Sequence, residues 1–155
     1  MVKEDAVKHL EFIQNAITRM ANNSFLLKGW TVTLVAAIVA LAAQNANPWF
    51  VTLAFFPAIA FWVLDAFYLR QERLFRILYD DIRVKNEETI QSEGPFSMNT
   101  KPIEDKVESL RDTMFSPTLK LFYIMIILTI IVLAIAVLVI NNPPILYRDY
   151  SHHYR

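Results

Sequence analysis

Three stretches of the chain are apolar with almost no interruption, and the segments between them repeat their apolar positions at helical spacing. The longest, Leu121 to Ile140, has no charged residue and a single hydroxyl, Thr129. A bilayer core needs about 20 apolar residues in helical form, so this run predicts a spanning helix. Phe25 to Ala43 and Trp49 to Leu69 predict two more, each with one charge at its margin: Lys28 near the start of the first, Asp65 near the end of the second. Between them stands Gln44-Asn45-Ala46-Asn47-Pro48, too short to do more than turn. The two spans therefore form a tight hairpin. In an antiparallel hairpin, residues equidistant from the turn share a depth, and Lys28 and Asp65 are equidistant from it. They either pair, softening the cost of each charge, or reach the interface separately; helix rotation decides.

The remaining segments read as amphipathic helices. Leu10, Ile13, Ile17 and Met20 form one stripe on the N-terminal segment, with Asn22-Asn23-Ser24 predicted to cap or hinge the junction with the first span. From about Ala66 to Lys85, Phe67, Gln71, Phe75, Leu78 and Ile82 trace a face, and Glu72, Arg76 and Asp80 form i,i+4 pairs on another. Residues 86–101 are polar, broken by Gly94-Pro95, and predict a loop. A third helix is predicted from Pro102, with Ile103, Val107, Leu110 and Met114 as its stripe, ending at Ser116-Pro117. No stripe can be buried by its own helix. The stripes either meet in one bundle or face neighbouring subunits, and so narrow a stack favours a homo-oligomer.

The fold expected is an all-α integral membrane protein with three transmembrane helices plus cytoplasmic amphipathic helices. Its parts are a helix at 1–24, a hairpin at 25–69, a cytoplasmic region at 70–118, a third span at 119–141 and a tail at 142–155. Basic residues set the orientation. Lys3, Lys8, Arg19 and Lys28 precede the first span, nine more lie between Arg70 and Lys120, and the tail has only Arg148 and Arg155. The N-terminus and middle region are therefore expected inside and the C-terminus outside, in a plasma membrane. Trp30, Trp62, Tyr68 and Tyr123 fall at the inner interface, and Trp49, Tyr147 and Tyr150 at the outer one. The polar, helical first twenty residues predict no cleavable signal.

Composition narrows the chemistry. The chain has 155 residues, 55% of them hydrophobic, with fifteen basic and fifteen acidic residues; its mean hydropathy is +0.32. With no cysteine, disulfides and thiolate metal sites are excluded. Two glycines, Gly29 and Gly94, cannot build a phosphate-binding loop. Zero net charge gives no drive toward DNA. The histidines are His9 and the tail pair His152-His153, which the topology separates, so no triad forms within one chain. The tail pair with Asp149 offers at most a loose metal site and reads first as an exposed terminus. Asp80-Asp81 and Glu87-Glu88 read as solvated charge. No nucleophile elbow or zinc-binding helix is present. The expectation is no enzyme, no cofactor and no metal.

Inside the spans the polar residues are Thr31, Thr33, Thr52 and Thr129, each able to bond its own helix, with Pro57 as a kink. Gly29, Thr33, Ala36 or Ala37, Ala40 and Ala43 form a small-residue stripe, expected to pack inside the hairpin. Arg70, Arg73, Arg76 and Arg83 either meet an anionic partner (nucleotide, RNA or lipid headgroup) or serve the positive-inside rule.

The order of an amphipathic helix, a tight membrane hairpin and a long charged helix resembles the SLATT-type architecture of small bacterial membrane proteins. The resemblance runs from Phe25-Leu-Leu-Lys-Gly-Trp30 through Leu64-Asp-Ala-Phe-Tyr-Leu-Arg-Gln-Glu-Arg73, within about the first 92 residues. The third span departs from that two-span pattern. The resemblance implies an oligomeric inner-membrane effector or accessory in antiphage defence, coupling a cytoplasmic signal to membrane perturbation, with a pore among its forms. The alternative is a non-conducting anchor that recruits a soluble defence enzyme. A small-molecule transporter is the third reading and would need substrate flux that depends on Lys28 or Asp65.

Overall fold

The computed structural model describes residues 2–45, 48–84 and 96–141, and these are all-helical with irregular connections and no strand. In order they form α1 (Val2–Asn45), α2 (Pro48–Thr52), α3 (Phe55–Val84), a 3-10 helix (Lys101–Lys106), α4 (Leu110–Met114) and α5 (Pro117–Asn141). Three helical stretches are long and apolar enough to cross a membrane: Glu4–Gln44, Trp49–Val84 and Pro117–Val139. The tail at 142–155, with Asp149, His152 and His153, lies outside the described residues, as do 85–95 and the two turn residues 46–47.

α1 is a single helix of 44 residues. No hinge interrupts it at Asn22-Asn23-Ser24. The reason is one uninterrupted stripe. Ile13, Ile17, Ser24, Thr31, Val35 and Ala42 are all buried, and at 100° per residue they lie within a narrow sector of one face. A cap at residue 24 would have rotated the second half out of register with the first. Ser24 is held in the helix by a tertiary partner instead.

Pro57 shapes the second arm of the hairpin. Its ring carries no N–H and clashes with the carbonyl four residues earlier, that of Leu53. The chain breaks there, separating α2 from α3 by Leu53 and Ala54. Tight bonds replace the helical ladder: Leu53 N–H to Phe50 O at 3.2 Å, Ala54 N–H to Val51 O at 3.1 Å and Phe56 N–H to Leu53 O at 3.2 Å. Beyond Asp65, α3 continues to Val84, about 28 Å at 1.5 Å per residue.

The predicted third amphipathic helix is not one helix. The 3-10 helix ends at Val107, extended at φ −115° and ψ 141°, a conformation suited to a β-branched residue. Ser109 then caps α4, its hydroxyl accepting from Asp112 N–H. The capping bond requires Ser109 itself to be non-helical, so a continuous helix through 107–109 is excluded. The break at Ser116-Pro117 is present, and α5 starts at Pro117.

Three apolar clusters hold the chain together. Ile13 and Ile17 of α1 pack with Leu74, Leu78 and Ile82 of α3 and with Ile103. The stripes of the three polar-region segments thus meet within one chain, through what we term the stalk. Phe67, expected on this face, is exposed, because the α3 stripe runs through Leu74 instead. Val35, Ala42, Val51, Ala54, Ala58 and Ile130 form a second cluster at the far end of the hairpin. Ala66, Leu119 and Tyr123 form a third between them. Burying a Leu or Ile side chain contributes about 1.5–3 kcal/mol, so each cluster matters.

Candidate functional site

The polar centre lies between the stalk core and the apolar hairpin core. Asp65 is fully buried on α3. Lys28 of α1 sets its Nζ 2.6 Å from Asp65 Oδ2, so the two residues placed at one depth by the turn geometry are brought into contact. Ser24, one turn before Lys28, donates its hydroxyl to Asp65 Oδ1. Lys28 Nζ donates to Ser24 Oγ at 2.9 Å. Tyr123 of α5 donates its hydroxyl to Asp65 Oδ2 at 3.2 Å. One carboxylate thus accepts from two hydroxyls and an ammonium, drawn from two further helices. The formal charges cancel, which is the condition under which buried charge is tolerable.

The aromatic surroundings fix Tyr123. Trp62 of α3 stacks on it with centroids 5.6 Å apart and planes 10° apart. The Trp62 indole donates to Met114 O at 2.9 Å, tying the end of α4 to the site, and Phe115 meets Trp62 edge-on at 5.6 Å. Tyr123 is therefore a buried member of the site. Ser24 could have been found as the residue one turn from Lys28 on the same face.

The four arginines are already engaged. Arg70 donates to Glu104 Oε1 at 3.1 Å and to Glu108 O at 3.0 Å. Arg73 pairs with Glu108 at 2.6 Å, Arg76 with Glu72 at 2.7 Å and Arg83 with Asp80 at 3.5 Å. Arg70 and Arg73 bind the 104–108 strap to α3. Arg76 and Arg83 form local helix pairs, and Arg83 takes the Asp80 partner that the i,i+4 pattern assigned to Arg76. These pairs are solvent-exposed and weak. Arg76→Gln is expected to change unfolding free energy by less than about 1 kcal/mol, as read from thermal unfolding in detergent.

His9 fastens the other end of the strap. It is buried, and Nε2 lies 3.0 Å from Ser97 O. A carbonyl only accepts, so Nε2 carries the proton. Phe96 packs on His9 at 5.7 Å and on Phe12 at 5.9 Å. Phe96 adopts a φ of 65°, a left-handed conformation uncommon for an aromatic residue. Its two ring contacts hold it there.

The small-residue stripe does not pack inside the hairpin. Thr33, Ala36, Ala37, Ala40 and Ala43 are exposed, and a Cβ on Gly29 would meet nothing within 4 Å. At 100° per residue, the stripe sits opposite the buried face of Ser24, Thr31, Val35 and Ala42. The span threonines bond their own helices: Thr31 to Leu27 O at 2.7 Å, Thr33 to Gly29 O at 3.0 Å, Thr52 to Trp49 O at 2.7 Å and Thr129 to Met125 O at 2.8 Å.

No family model, curated protein or solved structure matches the chain.

Proposed function

We propose that the protein is a membrane-anchored accessory that holds a rigid helical stalk at the membrane surface for a soluble partner, without a permeation path of its own. The observation that carries this reading is the internal satisfaction of the described polar groups on the spans. Asp65, Lys28, Ser24 and Tyr123 satisfy one another, and the threonine hydroxyls bond their own helices. A water-filled path needs polar groups directed into it. The stalk supports the same reading. Both of its long helices are continuous with spans, so a partner that docks on it is held at a set height and orientation. The antiphage setting rests on the resemblance of residues 25–73 to SLATT-type proteins, and the plasma membrane and inward-facing stalk rest on the basic residues flanking the spans.

A second reading, an oligomeric effector that perturbs the bilayer, draws support from the unpartnered face of α1. Gly29, Thr33, Ala37 and Ala40 would admit close approach of another helix.

Vesicle leakage separates the two. Full-length protein reconstituted at increasing density in dye-loaded vesicles is expected to release no more dye than empty vesicles. Release that scales with protein density would replace the accessory with the effector. The same preparation, used as bait in a pull-down from the native host, is expected to retain a soluble enzyme through the stalk.

A further inference from the structure

We propose that the protein binds one anionic diacyl phospholipid on the face of α1 beside the polar centre. Two crevices flank the ridge formed by Leu26 and Trp30. One, of about 290 Å³, opens between α1 and α3 and is lined by Asn23, Leu26, Leu27, Trp30, Phe61 and Tyr68. The other, of about 330 Å³, runs along Phe25, Gly29 and Thr33 on the opposite side of the ridge. Both are shallow and open, the form of a groove for a chain rather than a pocket for a compact solute. The missing side chain at Gly29 leaves the floor of the second groove clear.

The lining changes along the helix axis in the order in which a phospholipid changes. Trp30 and Phe61 lie deeper toward the hairpin turn than the Lys28–Asp65 pair, and Leu26 and Leu27 lie within about 3 Å of its level on the stalk side. Asn23 and Tyr68 lie on the stalk side of that pair, where ester and glycerol oxygens would need donors. From Lys28 to the end of α1 at Asn45 the rise is about 25 Å, and from Tyr123 to the end of α5 at Asn141 about 27 Å. Against a hydrocarbon core of about 30 Å, this places the polar centre just inside one boundary and Asn23 in the headgroup layer. Arg19 stands one helical turn beyond Asn23 on the same face. It is exposed and forms none of the ion pairs found among the described residues. Its guanidinium complements a phosphate, while Arg70, Arg73, Arg76 and Arg83 are taken by carboxylates. One acyl chain lies in each groove, and the Leu26–Trp30 ridge stands between them.

The inference rests on the spanning reading of the helices, so the first step is alkaline carbonate extraction of membranes containing the full chain. Release into the supernatant would overturn both. With the protein retained, native mass spectrometry in mild detergent is carried out with added phosphatidylglycerol or phosphatidylcholine. One phosphatidylglycerol per chain is expected, retained at least about fivefold better than phosphatidylcholine. Arg19→Gln, an exposed change that leaves folding intact, is expected to bring the two lipids to parity. Asn23→Leu with Tyr68→Phe is expected to lower retention of both lipids about five- to tenfold through the two lost hydrogen bonds. Equal retention of the two lipids by the unaltered protein overturns the proposal. A lipid-free dimer that cross-links through Gly29→Cys, in a chain with no cysteine of its own, also overturns it, because a second copy would then occupy the face.

Discussion

Asp65→Ala is expected to destabilise the protein by about 3–5 kcal/mol, the range for removing one partner of a buried ion pair. The loss is not confined to the pair. Lys28, with 24% of its side chain exposed, would lose its counter-charge beside an apolar cavity. The hydroxyls of Ser24 and Tyr123 would lose the carboxylate that accepts from them. Lys28→Met is expected to fall in the same range for the opposite reason: a fully buried carboxylate is left without its counter-charge. The double change Lys28→Met with Asp65→Leu removes both charges and fills the space, and it is expected to recover most of the loss, to within about 1–2 kcal/mol of the parent. Thermal and denaturant unfolding in detergent, arranged as a double-mutant cycle, reads the coupling directly. A coupling below about 1 kcal/mol would show that Lys28 and Asp65 act as two independent interface charges.

Leu74→Ala carries the second large effect, about 2–5 kcal/mol, because Leu74 is nearly inaccessible in the stalk core. It packs in one cluster with Ile13, Ile17, Leu78, Ile82 and Ile103. The cavity therefore loosens both long helices and the 3-10 helix together. Hydrogen exchange is expected to rise across the strap from residue 96 to 107 and across the first turns of α1, while the span ends near Ala42 and Val51 stay protected. If exchange rose uniformly along all three long helices, the stalk would not be a separable cooperative unit. Under the accessory reading, the same variant should lose partner capture while staying in the membrane.

How much of this was legible in the sequence differs from element to element. The three apolar runs are decided by length and hydropathy, which are local properties, and the structure has three helices of that kind. The stripe of Ile13 and Ile17 is likewise local. The break at Ser116-Pro117 follows from proline chemistry alone. The kink at Leu53-Ala54 was half legible: Pro57 announces it, and its position follows from the carbonyl with which the ring collides. The failure at residues 102–114 has a physical cause. A 3.6-residue pattern says which residues need burial and is indifferent to a local break that keeps them on one side. Ser109 made that break with a single capping bond.

The site shows the same division. Lys28 and Asp65 could be set at one depth because a hairpin is a mirror about its turn. Their contact needed helix rotation, which no single helix specifies. Ser24 and Tyr123 were overlooked because hydroxyls near a span end satisfy themselves so often that they carry no signal alone. The small-residue stripe misled because small size permits close packing without selecting which face packs. α1 has two candidate faces, and the continuous buried stripe from Ile13 to Ala42 won because it serves the stalk and the spans at once.

What the sequence by itself determined is the set of helices, their approximate lengths and the levels at which charges sit, since these depend on residues near one another along the chain. Only the tertiary structure decided the rotation of each helix. Rotation selected Ser24, Lys28, Asp65 and Tyr123 as partners, turned Gly29 and Thr33 outward and brought Arg70 and Arg73 to their carboxylates on Glu104 and Glu108. The reason is that rotation is set by the sum of packing and polar satisfaction across all three long helices, and no segment contains that sum.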